Sequence, residues 1–163
     1  MTPPRSATLG SSLALALAVL GGCASAPIFN TPARHPIGEV CARTRWRASG
    51  SLPAAGRAID GDLQTVAHTD APRAGTALAI DLSKVCLFNL AALDHGPNQQ
   101  AFARGVEIRT SLDGKTFTTR HVAPGTRRVT TLLLPKAVLA RYVEFRVVEP
   151  GPGPWAVAEV YFQ

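Results

Sequence analysis

Gly105-Val106-Glu107-Ile108-Arg109-Thr110-Ser111-Leu112-Asp113-Gly114-Lys115-Thr116-Phe117 is the stretch on which the fold turns. Val106 and Ile108 alternate with polar neighbours, so on an extended chain they share one face. Asp113-Gly114 is a tight-turn signal, and a second β-rich run follows from Phe117 to Val122. The stretch therefore predicts a hairpin, and Ser111 to Lys115 reads as its turn rather than as a site. The same pattern repeats on both sides. Thr76 to Leu82 alternates through Leu78, Ile80 and Leu82, and Val85 to Leu93 is a longer apolar run. Val129 to Leu134, Tyr142 to Val147 and Val157 to Phe162 are further short runs, separated by Pro124-Gly125 and by Gly151-Pro152-Gly153-Pro154. Short strands at this spacing indicate an all-β sandwich or barrel. No helix-period segment of useful length interrupts them, apart from a turn expected around Lys136 to Leu139, and no internal repeat is seen.

Before these strands the chain changes character. Arg5 precedes the uncharged apolar run Leu13 to Leu20, which is shorter than the ~20 residues of a membrane-spanning helix. A basic start, a short apolar run and then Gly21-Gly22 read as an export signal over residues 1–22. Leu20-Gly21-Gly22-Cys23 resembles the bacterial lipobox, which makes Cys23 the lipidated residue and the mature N-terminus. Ala24 stands where an aspartate would resemble an inner-membrane retention signal, so the expected location is the cell envelope, at the outer membrane. Residues 23–40, with Pro27, Pro32 and Pro36, read as the lipidated cysteine and a flexible tether. Residues 41–163 are then the β domain.

The chain carries 17 Lys+Arg against 11 Asp+Glu. Arg5 leaves with the signal, so 16 cations remain over about 140 mature residues, enough for one domain with a core. The cations are scattered. Arg43, Arg45 and Arg47, at alternate positions around Trp46, suggest a strand with a basic face. A tethered envelope protein is not expected to bind nucleic acid, and the charge is read as a solvated surface. With Cys23 assigned to lipid, Cys41 and Cys86 remain. In an oxidising compartment they are expected to pair as a disulfide, the alternative being two buried thiols.

Three segments carry a family resemblance. They are Ala58-Ile59-Asp60-Gly61-Asp62-Leu63-Gln64-Thr65, the hairpin Ser111-x-Asp113-Gly114-x-x-Phe117, and Ala140-Arg141-Tyr142-Val143 with Val157-Ala158-Glu159-Val160. In this order the chain from Trp46 to Gln163 resembles the discoidin, or coagulation-factor type C, family, which overlaps with galactose-binding-like carbohydrate-binding modules. The resemblance implies a jelly-roll β-sandwich of about eight strands. One departure is visible: Ala67 stands where the family pattern has Trp. The resemblance also implies a structural Ca²⁺ held by Asp60, Asp62, Thr65 and Glu159 with the carbonyls of Arg57 and Ala158. Carboxylates and a hydroxyl at this spacing suit an oxygen-ligated cation, and the plain alternative is an Asp-Gly turn.

No Gly-x-Ser-x-Gly elbow, HExxH or Walker loop occurs, and the chain is expected not to be an enzyme. Binding is the stronger class, at loops gathered on one end of the sandwich. Sugar recognition needs planar polar groups and an apolar ring face. His95, Asn98 and Arg104 in or beside the polar loop after Asp94, His68 and Arg73 before it, and Trp155 as a platform are the candidate ligand residues. For Trp155 the alternative is burial. The expected ligand is a cell-envelope or extracellular glycan. The alternative function is a protein–protein contact that helps to assemble an envelope complex.

Overall fold

A computed structural model describes residue 41 and residues 43–163. The signal segment, Cys23 and the tether to residue 40 lie outside the described residues. Eight strands follow one another: β1 (Arg47–Gly50), β2 (Ala67–Thr69), β3 (Ala77–Asp94), β4 (Gly105–Ser111), β5 (Thr118–Pro124), β6 (Val129–Glu149), β7 (Trp155–Val157) and β8 (Glu159–Phe162). Two short 3₁₀ turns, Arg43–Arg45 and Ala55–Ile59, precede β1 and β2.

The hairpin expected around Asp113-Gly114 is β4–β5, antiparallel, with Ile108 opposite His121. Val106 and Ile108 are fully buried, as their shared face requires. The other runs are less separate than the sequence suggests. Thr76 to Leu82 and Val85 to Leu93 form the single strand β3, and Val129 to Leu134 and Tyr142 to Val147 form the single strand β6. The turn expected near Lys136 to Leu139 is strand, because Leu139 and Val138 lie opposite Leu87 and Phe88. The break in β3 survives as a register shift between Asp81 and Cys86. There Ser83 adopts φ 65°, and its N–H donates to Asp81 Oδ1 at 2.8 Å. A bulge of this kind bends a strand without ending it.

The bend gives each long strand two sets of neighbours. Leu78 to Asp81 pairs with β1 on one side, and Ala77 to Asp81 pairs with Tyr142 to Arg146 of β6 on the other. Cys86 to Asp94 pairs with the first half of β6, and its last four residues also pair with β8. The sheet order is β1-β3-β6-β4-β5, with β8 on β3, and β2–β7 forms a separate two-stranded sheet. The inner face holds Leu78, Ile80, Leu132, Val143, Phe145, Trp155, Val157 and Val160, all fully buried.

At the start of the domain, Arg43, Arg45 and Arg47 do not share a strand face. Trp46 N–H donates to Arg43 C=O at 2.9 Å, which closes the 3₁₀ turn and breaks the alternation before β1 begins. Cys41 and Cys86 form the expected disulfide, with 5.8 Å between their Cα atoms. It pins the first described residue to β3.

Candidate functional site

The register of β2 against β7 decides which side chains can meet a ligand. His68 lies opposite Ala156, Thr69 opposite Trp155, and Ala67 opposite Val157. Side chains alternate along a strand, so His68 and Ala156 share one face and the Trp155 and Val157 rows share the other. The first face opens onto a cavity of about 260 Å³ lined by Val66, His68, Asp70, Asn98, Ala101, Pro154 and Ala156. The loop carrying Asn98 is held there by two backbone bonds. Ala101 N–H donates to Asn98 C=O at 3.0 Å, and Ala156 N–H donates to Ala101 C=O at 2.8 Å. His68 Nε2 and Asp70 Oδ1 are 4.0 Å apart; the His68 side chain is about half exposed and that of Asp70 almost fully so. The cavity thus offers an imidazole, a carboxylate and a carboxamide above a floor of small apolar residues.

Two of the six candidate ligand residues, His68 and Asn98, meet in this cavity. The other four do not. Trp155 is fully buried on the far face of β7, so it is core and not a platform. His95 is fully buried as well. Its Nδ1 lies 2.6 Å from the Ala156 carbonyl, which can only accept, so Nδ1 carries the proton. Nε2 then accepts from the Thr130 hydroxyl at 2.9 Å. Burial pushes this imidazole below its ordinary range, which keeps it neutral. His95 therefore supports the cavity floor from beneath. Arg104 faces solvent beside Glu149, 3.9 Å away. Arg73 belongs to the β2–β3 turn, where its N–H donates to Thr76 Oγ1 at 2.9 Å. The sequence reading misses Ala101, Pro154 and Ala156, whose small size marks a floor only once the register is known.

The expected cation loop is wired differently from its sequence reading. Asp60 accepts from Asp62 N–H at 2.9 Å and from the Thr65 hydroxyl at 2.7 Å. The Thr65 hydroxyl, the Asp62 N–H and, more weakly, Arg43 hold the Asp60 carboxyl below its usual range. Asp62 Oδ1 accepts from Gln64 N–H at 2.8 Å. Arg57 lies in the second 3₁₀ turn, and the buried Ala158 donates its N–H to Asp94 C=O at 2.7 Å. Glu159 is 98 residues from Gly61, yet its Oε1 accepts Gly61 N–H at 2.7 Å. Its Oε2 meets the guanidinium of Arg43. Among the described residues no three His, Cys, Asp or Glu side chains converge as metal ligands. Glu159 Oε2 is buried without a hydrogen-bond partner, so the loop and the last strand keep one oxygen acceptor unspent.

The chain belongs to the F5/8 type C domain family, whose profile matches residues 41–160. No curated protein matches it in sequence. Among solved structures it is similar to the family 32 carbohydrate-binding module of Clostridium perfringens NanJ in complex with galactose. That match has 20% identity and a TM-score of 0.64, over 75% of this chain and 96% of that one. It is similar to the C. perfringens module CpGH89CBM32-5 in complex with GalNAc-β-1,3-galactose, at 19% identity and TM-score 0.63, over 75% and 97%. It is also similar to chitosan-binding module 1 of a Paenibacillus sp. IK-5 chitosanase/glucanase, at 20% identity and TM-score 0.61, over 76% and 97%. These likenesses bear out the fold expected from the sequence, a jelly-roll β-sandwich.

Proposed function

We propose that this F5/8 type C domain is a non-catalytic carbohydrate-binding module that takes a glycan at the cavity of His68, Asp70 and Asn98. The observation that carries the reading is the cavity itself: three polar side chains of different hydrogen-bonding type over an apolar floor. An imidazole, a carboxylate and a carboxamide together donate and accept, as sugar hydroxyls require. The volume lies just under the ~300 Å³ lower bound of drug-sized sites, which suits one terminal sugar ring better than a stretch of chain. The galactose, GalNAc-galactose and chitosan ligands named for its structural neighbours support the same class. The cavity lacks an exposed Trp, Tyr or Phe among its lining residues, so selectivity rests on hydroxyl contacts more than on ring stacking.

Binding to immobilised galactose- and glucosamine-terminated glycans tests this with the full-length protein in detergent. His68→Ala and Asn98→Ala are expected to weaken retention about tenfold each, the equivalent of ~1.4 kcal/mol, without changing the melting temperature. Arg120→Ala is the control, since Arg120 lies on β5, where its Nε donates to Thr110 Oγ1. Retention by neither glycan, or equal retention by all variants, overturns the reading.

We further propose that the module works at the bacterial cell envelope, held by lipid on Cys23 at the outer membrane. The support is the Leu20-Gly21-Gly22-Cys23 segment behind a short apolar run. Cys23→Ala is expected to move the protein from the membrane to the soluble fraction. Unchanged fractionation refutes the anchor and leaves the glycan reading intact.

A further inference from the structure

We propose that Val85, Leu87, Leu112 and Leu139 form a face that rests on the anionic lipid surface holding Cys23, an inference that depends on the lipid anchor proposed above. Nine large apolar side chains are exposed among the described residues, and these four gather together. Leu112 and Leu139 line one cavity of about 270 Å³ beside the β4–β5 hairpin. Leu87 lies opposite Leu139 in the β3–β6 ladder. Val85 is two residues before Leu87, with the buried Cys86 between them, so alternation puts both on the outer side of β3. Exposure runs from 40% at Leu87 to 61% at Leu112. Single exposed leucines are ordinary, but a gathered apolar patch marks an interaction surface.

The chain itself brings the lipid to this face. Cys41 is bonded to Cys86, between Val85 and Leu87, with 5.8 Å between the two Cα atoms. Cys41 stands 18 positions after Cys23. At no more than ~3.6 Å per residue, the anchor lies within about 65 Å of Cys41 whatever path the chain takes. A surface tethered so near acts as a high local concentration, so a patch too weak to hold free vesicles still docks. Charge favours the same partner. Lys84 and Lys136 are exposed on β3 and β6 near Val85 and Leu139. Arg45, also exposed, is held beside them, since its carbonyl accepts the Ser83 hydroxyl. The acid of this part of β3, Asp81, is already paired with Arg141 through two bonds of 2.9 and 3.0 Å. The cavity adds one charge of each sign, Asp113 and Arg120. The excess is positive, and anionic headgroups attract Lys and Arg near the surface. The loop carrying Asn98 begins after Asp94, at the far end of β3, roughly 20 Å along the strand from Leu87. The cavity of His68 and Asn98 therefore stays open while the apolar face is covered.

Full-length protein reconstituted in vesicles containing anionic phospholipid tests this, with an environment-sensitive fluorophore on Leu87→Cys or, separately, Leu139→Cys. Gln99→Cys, in the loop of Asn98, carries the distal probe. Spin-labelled lipid is expected to quench each face probe at least about twofold more than the Gln99 probe, because only the face enters the headgroup layer. Wholly neutral vesicles or high salt should reduce that quenching about twofold. Leu112→Asp should reduce it as well, without changing the melting temperature. Face probes quenched no more than the Gln99 probe overturn the proposal, and they leave the anchor standing if the protein remains with the vesicles. A face probe shielded from water yet untouched by the lipid quencher means that a second copy or the chain's own upstream segment covers the face, which also overturns it. Protein that does not stay with the vesicles overturns the anchor and the docking together.

Discussion

The chain contains two Asp-Gly turns with a threonine close behind, and only one of them reaches beyond itself. At Asp113-Gly114 everything is local. Asp113 Oδ1 accepts from the Ser111 hydroxyl, Lys115 N–H and Thr116 N–H, all within 2.8–2.9 Å. Ser111 Oγ accepts in return from Asp113 N–H and Gly114 N–H. The one feature that ties this turn to the body is Gly114 at φ 73°, where an added Cβ would stand 3.2 Å from the Tyr142 ring. At Asp60-Gly61 the carboxylate again curls its own loop, but the Gly61 N–H is spent on Glu159 of the last strand. Gly96, at φ 61°, closes on the same loop, since a Cβ there would lie 2.8 Å from Leu63 C=O and from Ala158 Cβ. One turn completes a hairpin. The other joins the first loop, the loop after β3, and β8. Similar local sequence thus has unequal weight, and long-range partners set the difference.

These long-range ties among the first loop, the loop after β3 and β8 form a seam, and the largest expected effect follows from cutting the covalent tie that precedes it, Cys41–Cys86. The Cys41–Cys86 bond closes a loop across a sequence separation of 45. On the chain-entropy account, a loop of that size stabilises the native state by about 4 kcal/mol. Cys41→Ser/Cys86→Ser is therefore expected to lower the unfolding free energy by about that much, read from urea midpoints at unchanged slope. If the double serine variant unfolds at the wild-type midpoint, the seam carries no more weight than the hairpin, and the contrast fails.

How far these features can be read from sequence follows the same division. The β4–β5 hairpin was legible because its pattern and its turn are both local. The bends of β3 and β6 were not. Ser83 is not a turn residue by type, and its left-handed backbone depends on Asp81 and on strands that arrive later in the chain. In the candidate site, His68 and Asn98 were legible as polar loop-end residues. His95 looked equivalent to them and is buried, because Thr130 and the Ala156 carbonyl, 35 and 61 residues away, satisfy both ring nitrogens. Trp155 was placed inside by the β2–β7 register, which a three-residue strand does not announce. The Cys41–Cys86 pairing could be inferred from compartment and count. The bond from Gly61 N–H to Glu159 could not, since two partners 98 residues apart leave no local trace.

The smallest effect sharpens the contrast from the hairpin side, through acid. The N–H groups of Thr116 and Lys115 and the Ser111 hydroxyl lower the Asp113 carboxyl from its ordinary 3.8 to about 2. A carboxyl with a depressed value in the folded state stabilises that state above its unfolded value, and the gain disappears as pH falls through the folded value. Asp113 therefore contributes fully above about pH 4 and loses its contribution between there and about pH 2. Asp113→Asn removes the titrating group but keeps one oxygen to accept the backbone donors. The wild type is expected to be slightly more stable than Asp113→Asn at neutral pH, with the gap closing over that acid window. The gap stays small because the carboxyl is fully in solvent and Asn can retain part of the turn. Chelator and calcium should leave the difference unmoved, since nothing in this turn connects to the seam. A gap that is constant from pH 7 to pH 2 would mean that the carboxylate charge does not hold the turn. The hairpin would then rest on Gly114 against Tyr142 and on the β4–β5 ladder alone.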